Sequence, residues 1–225
     1  MKRPDWDSIV KFFGSAMRFL PHRFDSEPIS SISSLSEFIE TRAAHVAQTS
    51  LYGYLKNRMG TRYPEHFQDD AFVVSINQAK WRVYAACLSD LTIFSTGYCL
   101  DGSKEGAEGL ARHLFAQALN NSFTDDDAVE ARPDAEAAFN TRLGFVDWSL
   151  AGKGETAFSQ SPIDLVKWAP VTEEFKQQDS EIVMNSIRFR WREVREQLRK
   201  RAVPVAIKEE WQAGVGSGQR PASEA

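Results

Sequence analysis

Cysteine is scarce: Cys87 and Cys99 are the two in 225 residues, and both fall in one segment of helical periodicity. Twelve helical residues separate their backbones by about 18 Å, whereas a disulfide needs Cα atoms within about 7 Å. They cannot pair while that helix holds, and unpaired thiols point to a reducing compartment. The first residues lack the short apolar run and small-residue cleavage site of a secretory leader, so the expected location is cytoplasmic. A one-sided charge is also missing. Twenty-seven Lys and Arg against 31 Asp and Glu leave −4, and nothing global selects nucleic acid as a partner. The most apolar stretch, 83–100, carries Asp90 at its centre, among Ser89, Thr92, Ser95, Thr96 and Gly97. A central Asp costs about 2.5–3.5 kcal/mol on the membrane-insertion scale. The stretch therefore reads as the central core helix of a soluble protein.

Familiar catalytic and metal motifs are missing too. The histidines are His22, His45, His66 and His113, and the residues three before them are Phe19, Arg42, Tyr63 and Leu110. None completes the Glu-x-x-His pair of a di-iron bundle. HExxH, CxxC, EF-hand and P-loop patterns are absent. Asp125-Asp126-Asp127 lacks the alternation and glycine of a calcium loop and reads as a solvated turn. Glu65, His66, Asp69 and Asp70 suit the positive end of a helix dipole. No metal and no cofactor is expected. The Gly-x-Ser-x-Gly elbow of hydrolases is missing, and Gly216-Ser217-Gly218 has the wrong spacing. Ser8-Ile9-Val10-Lys11 matches Ser-x-x-Lys but sits on the solvated side of an N-terminal helix. A noncontiguous Ser/His/Asp set stays open, because a triad is defined by geometry rather than by order.

What is present is helix. Apolar residues recur with period 3.6 almost throughout, in a chain that is 42% hydrophobic and 26% charged, ordinary values for a globular domain. A first, basic amphipathic helix over 5–20 carries Trp6, Ile9, Val10, Phe13, Met17 and Leu20 on one side and stops at Pro21. A Ser-rich connector ends in Ser34-Leu35-Ser36-Glu37, a capping-box pattern. A second helix runs to about Met59 with Gly60 as its cap, and Pro64 restarts the chain into a third from about 65 towards 94. A glycine-containing turn over 101–106 precedes a fourth helix over 107–123. Residues 124–136, with six acids against Arg132, read as a solvated loop. Further helices are expected over 134–150, 162–168 and 172–201. The reading is an all-α, single bundle-like domain of six or seven helices. It divides into a basic amphipathic helix at 1–24, an all-helical domain at 25–203 and a flexible, disordered tail at 204–225.

Asp90 shares a helix face with Val83, Cys87 and Phe94, so its carboxylate needs a partner, such as an arginine or a helix-end amide. His45 is a second polar residue on an inward face. The last long helix carries more signal. Arg188, Arg192, Arg195 and Arg199 form a basic ridge beside an apolar stripe of Val183, Ile187, Trp191, Val194 and Leu198. With Trp6, Phe13 and Met17 of the first helix, this ridge is the candidate binding surface, for a protein partner or an anionic membrane surface on the cytoplasmic face. A nucleic-acid partner ranks below both.

Three segments, 34–65 (SLSEFIETRAAHVAQTSLYGYLKNRMGTRYPE), 79–94 (AKWRVYAACLSDLTIF) and 185–201 (NSIRFRWREVREQLRKR), resemble an uncharacterised family of bacterial helical proteins sometimes labelled esterase. The resemblance spans most of the chain to about residue 201 and transfers no site motif. It implies ester hydrolysis, and a carboxylester hydrolase is the alternative. The leading expectation from the residues is a cytosolic helical binding, adaptor or assembly protein.

Overall fold

The computed structural model describes residues 27–102, 104, 106–124 and 126–216, with no account of the side chains of 215 and 216. The expected helix over 5–20, with Trp6, Phe13 and Met17, lies outside the described residues. Within them the chain is all-α. Its helices are α1 (Ile32–Met59), a 3-10 helix (Gly60–Gln68), α2 (Asp70–Cys99), α3 (Ala107–Ser122), α4 (Asp126–Leu143), α5 (Trp148–Ala151), α6 (Gln160–Trp168), α7 (Glu173–Arg201) and α8 (Pro204–Gly216). No strand forms among the described residues; a single parallel bridge joins Ile29 to Ala202. No helix among them is long and apolar enough to cross a membrane.

The 30-residue α2 is the axis of the fold. From Val83 to Gly97 every residue is buried, and α1, α3, α4, α5, α6 and α8 all pack on it. Cys87 and Cys99 are both buried and unpaired, as the helix length requires. The helix begins where Asp69 caps it, its carboxylate accepting from the Ala71 amide at 2.9 Å. Pro64 sits inside the 3-10 helix instead of opening α2. There Tyr63, Phe67 and Phe72 pack edge to face, with ring centroids 5.1 and 5.4 Å apart. That aromatic cluster delays the start of α2 to Asp70.

The capping box of α1 lies one turn earlier than the sequence suggests. Ser31, not Ser34, is the N-cap: its hydroxyl accepts from the Ser34 amide at 3.1 Å and the Ser34 hydroxyl accepts from the Ser31 amide at 3.1 Å. Glu210 of α8 fixes that choice, because its carboxylate accepts from the Ile32 amide at 2.8 Å and a helix N-terminus favours an anion. At the other end Gly60, at φ 58°, caps α1 as expected.

Two expectations are corrected. The acidic stretch 124–136 is not a loop: α4 starts at Asp126, with Ala128, Ala131, Ala135, Phe139 and Leu143 buried on one stripe. Asp126 and Asp127 fall in its first turn, where negative charge stabilises the dipole, and Asp134 and Glu136 point outward to Arg82 and Arg132. Small alanines make a buried stripe that a hydrophobicity scan undervalues. The tail, in turn, does not begin at 204. Helix α8 runs to Gly216, with Ile207 fully buried, Trp211 beside His113 at 5.8 Å between ring centroids, and Glu210 on α1. Residues 217–225 lie outside the described residues.

Backbones meet most closely where α2 ends. A Cβ on Gly152 would stand 2.5 Å from the Gly97 carbonyl carbon and 2.6 Å from the Tyr98 Cα, and one on Gly97 would stand 2.7 Å from the Gly152 nitrogen. All are backbone atoms that cannot swing aside. Gly152→Ala is therefore expected to cost about 1–3 kcal/mol, lowering Tm by roughly 2–4 °C for each kcal/mol. Gly154→Ala, with open space around it, leaves Tm unchanged in the same thermal melt.

Candidate functional site

Asp90 finds both kinds of expected partner, an arginine from α4 and helix-end amides from α6. Asp90 is fully buried. Its Oδ1 accepts from Arg142 Nη1 at 2.6 Å and from the Gln160 amide at 3.2 Å, and its Oδ2 accepts from the Ser161 amide at 2.8 Å. The carboxylate thus sits on the N-terminus of α6, whose first-turn amides have no partner within the helix. Arg142, in the last turn of α4, also donates to Ser89 Oγ at 2.8 Å and to the Ala157 carbonyl at 2.5 Å. Ser161 Oγ accepts from Trp191 Nε1 at 2.9 Å, which draws α7 into the same network. Burial pushes the Asp90 carboxyl above its usual range, against the pull of Arg142 and Ser161. Burial, with Asp90 nearby, drives the Cys87 thiol well up and removes its nucleophilic form. Asp90 itself is closed to solvent while Arg142 is 17% exposed, and every polar atom of the carboxylate is spent on holding helices together.

His45 is half-buried on α1; burial first, then Arg42 and Arg190, lower its pKa. Among the described residues the imidazoles of His45, His66 and His113 make no hydrogen bond or ion pair with a serine or carboxylate, and Glu193 acts on His45 only as the weakest of its electrostatic influences.

The basic ridge of α7 is split by the fold. The apolar stripe packs inward as expected, with Val183, Ile187, Trp191, Val194 and Leu198 buried. Arg195, expected on the surface beside Arg188 and Arg192, is 8% exposed. It donates to the Gly154 carbonyl at 3.1 Å and to Glu155 at 2.7 Å, with its guanidinium 5.8 Å from the Phe158 ring centroid. Arg199 reaches the Lys153 carbonyl at 3.1 Å and Glu196 at 3.1 Å. Long basic stems lie along apolar surface while their heads find oxygen, and here the oxygens belong to the loop before α6. Arg188 and Arg192 remain on the surface.

The outer side of α7 carries what the sequence reading missed. Ile182 and Phe189 are each 72% exposed, seven residues apart and opposite the buried stripe. Phe175, seven residues earlier, closes the ridge under Arg58, whose guanidinium lies 4.3 Å from the ring centroid and grips Asp179 through two hydrogen bonds. The seven-residue interval 175–182–189 is the signal that marks it: one seam position of a helix pair. Attention to the core stripe hides it, because the same helix satisfies two apolar faces.

A separate cleft of about 220 Å³ opens between α1, α2 and α3. Ser36, Glu37, Glu40, Gln117 and Asn121 line it, with Tyr84 at its base. Glu40 accepts from Ser36 at 2.9 Å and Asn121 at 3.0 Å, and burial raises its pKa.

This chain matches no family model, no curated protein and no solved structure. Its functional reading therefore rests on its own geometry. Of the candidate residues, Arg188 and Arg192 remain available at the surface, Arg195 and Arg199 hold the fold, Asp90 and His45 are packed, and Trp6, Phe13 and Met17 are outside the described residues.

Removing one member of a buried ion pair leaves the other uncompensated. Asp90→Ala is expected to destabilise by about 3–5 kcal/mol in chemical denaturation. Asp90→Asn costs about 1–3 kcal/mol, because both carboxylate oxygens face donors and the new amide nitrogen would face one of them. An unchanged denaturation midpoint for either variant would refute the network.

Proposed function

We propose that this chain is a helical assembly protein whose partner-binding surface is the outer side of α7. One observation carries the reading: two large apolar side chains, Ile182 and Phe189, stand 72% exposed on a single ridge. Scattered exposed apolar residues are ordinary, but a ridge at seam spacing is the form in which one helix meets another. Arg188 and Arg192 stand beside it. Among the described residues neither makes an ion pair; Arg188 donates only to Asn185, at 3.1 Å. Charges of this kind contribute little to folding and much to the rate and orientation of encounter. The resemblance to proteins labelled esterase gains no support from an imidazole paired with a serine, so hydrolysis ranks second.

The two halves of the basic ridge separate by mutation. Arg188→Gln with Arg192→Gln leaves Tm unchanged, whereas Arg195→Gln lowers stability by about 1–2 kcal/mol through the lost bonds to Gly154 and Glu155. A photo-crosslinking residue at 189 tests the surface in cells, against the same residue at 209 on the exposed side of α8. The reading expects a defined adduct at 189 that disappears with Arg188→Gln/Arg192→Gln. Adducts that are equal at the two positions would refute it. Retention of the wild-type chain on vesicles of anionic lipid, lost with the same pair of changes, would replace a protein partner by a membrane surface.

A further inference from the structure

Helix α7 is polarised along its length. Between 173 and 181 it carries Glu173, Glu174, Asp179 and Glu181 against Lys176, a net −3. Between 188 and 201 it carries Arg188, Arg190, Arg192, Arg195, Arg199, Lys200 and Arg201 against Glu193 and Glu196, a net +5. The surface charges are ordered as well. At 100° per residue, Glu174, Glu181, Arg188 and Arg192 fall within about 40° of one another, along one flank of the Ile182–Phe189 ridge. All four are exposed. Among the described residues Glu181 and Arg192 pair with nothing, and Glu174 accepts only from Gln178, at 3.5 Å.

We infer that the ridge is covered by a second copy of this chain, with the two α7 helices antiparallel about a two-fold axis between Asn185 and Ser186; this rests on the reading of α7 as the binding surface. In that arrangement Ile182 of one copy lies on Phe189 of the other, twice over, so each exposed apolar side chain finds a partner. A two-fold antiparallel pair also sets like flank against like flank. Glu181 then comes within a turn of Arg188 and Arg192 of the second copy, and the acidic half of each helix lies along the basic half of the other. A parallel pair would lay the acidic half of one helix beside the acidic half of the other and basic beside basic, which is repulsive, and would put the two copies of this flank on opposite faces of the contact. An interface that repeats one patch on both sides is self-complementary, as a closed dimer requires. The ridge spans only about two turns between its apolar residues, so the contact is of the weak, reversible class.

Sedimentation velocity of the full chain over roughly 1–300 µM, a range suited to that class, should show a reversible monomer–dimer equilibrium that weakens as salt rises. Ile182→Glu with Phe189→Glu should stay monomeric throughout, with Tm unchanged, since both side chains lie outside the core. The charge pattern has its own test. Glu174→Arg/Glu181→Arg makes the flank wholly basic, and Arg188→Glu/Arg192→Glu makes it wholly acidic. Each variant alone should be monomeric, and an equimolar mixture should form a heterodimer at least tenfold tighter than either self-association. A wild-type chain that is monomeric over the whole range overturns the inference, as does a dimer that survives Ile182→Glu/Phe189→Glu. If the wild-type chain is monomeric while the label at 189 still reacts with another protein, only the second copy is wrong. If neither signal is found, the reading of α7 as a binding surface fails with it.

Discussion

One carboxylate organises this fold. Asp90 lies at the middle of the central helix with no exposure to solvent, and a lone charge there would cost several kcal/mol. Its oxygens instead receive Arg142 from the end of α4 and the first amides of α6. The polarity is consistent on both sides, with a cation in the last turn of one helix and the amide end of another converging on a single anion. Through Ser161 the same node reaches Trp191 and so α7. Two helices, α4 and α6, are thereby placed against α2 by directional bonds, and α7 against α6, where apolar packing alone would leave their rotation weakly specified.

The node also explains where the basic residues of the last long helix go. Arg142 holds the Ala157 carbonyl, Arg195 holds the Gly154 carbonyl and Glu155, and Arg199 holds the Lys153 carbonyl. Three guanidinium groups satisfy the irregular segment between α5 and α6, which otherwise has few backbone partners of its own. That segment must stay put, because it delivers the amides of Gln160 and Ser161 to Asp90. The inward half of the arginine ridge thus belongs to the core architecture, and only its outer half is free to face a partner.

Local pattern made much of this visible in the sequence. The five-residue stripe from Val183 to Leu198, the placing of both cysteines on one helix and the need of Asp90 for a partner all follow from 3.6-residue periodicity and the cost of burying charge. What stayed hidden depends on distance along the chain. Asp90 and Arg142 are 52 positions apart, and no local rule pairs them. The charge of Arg195 predicts a surface position, yet its guanidinium lies over the Phe158 ring and donates to a carbonyl 41 positions away. The excess of acids over bases makes α4 look like a loop in the sequence, although its alanines, small enough for close approach, pack inward with Phe139 and Leu143. The glycines at 214, 216 and 218 make the sequence from 204 look like a tail, while Ile207, Glu210 and Trp211 before them hold α8 to the body.

In the reading proposed for α7, its outer face separates stability from function. Ile182 and Phe189 contribute nothing to the core they point away from. Their spacing also matters. Two apolar residues seven apart, with the polar Asn185 and Ser186 between, make a ridge narrow enough to remain in water and regular enough to seat against another helix. The charge order along the flank adds what apolar contact lacks, a direction, because dispersion and burial are indifferent to whether a neighbouring helix runs parallel or antiparallel. Long side chains on an exposed flank can adjust by about a turn, so the charge pattern sets orientation while the two apolar residues set register. A surface that needed only to be soluble would have no use for either feature, and their presence together on one helix is the strongest physical argument that α7 is built to be covered.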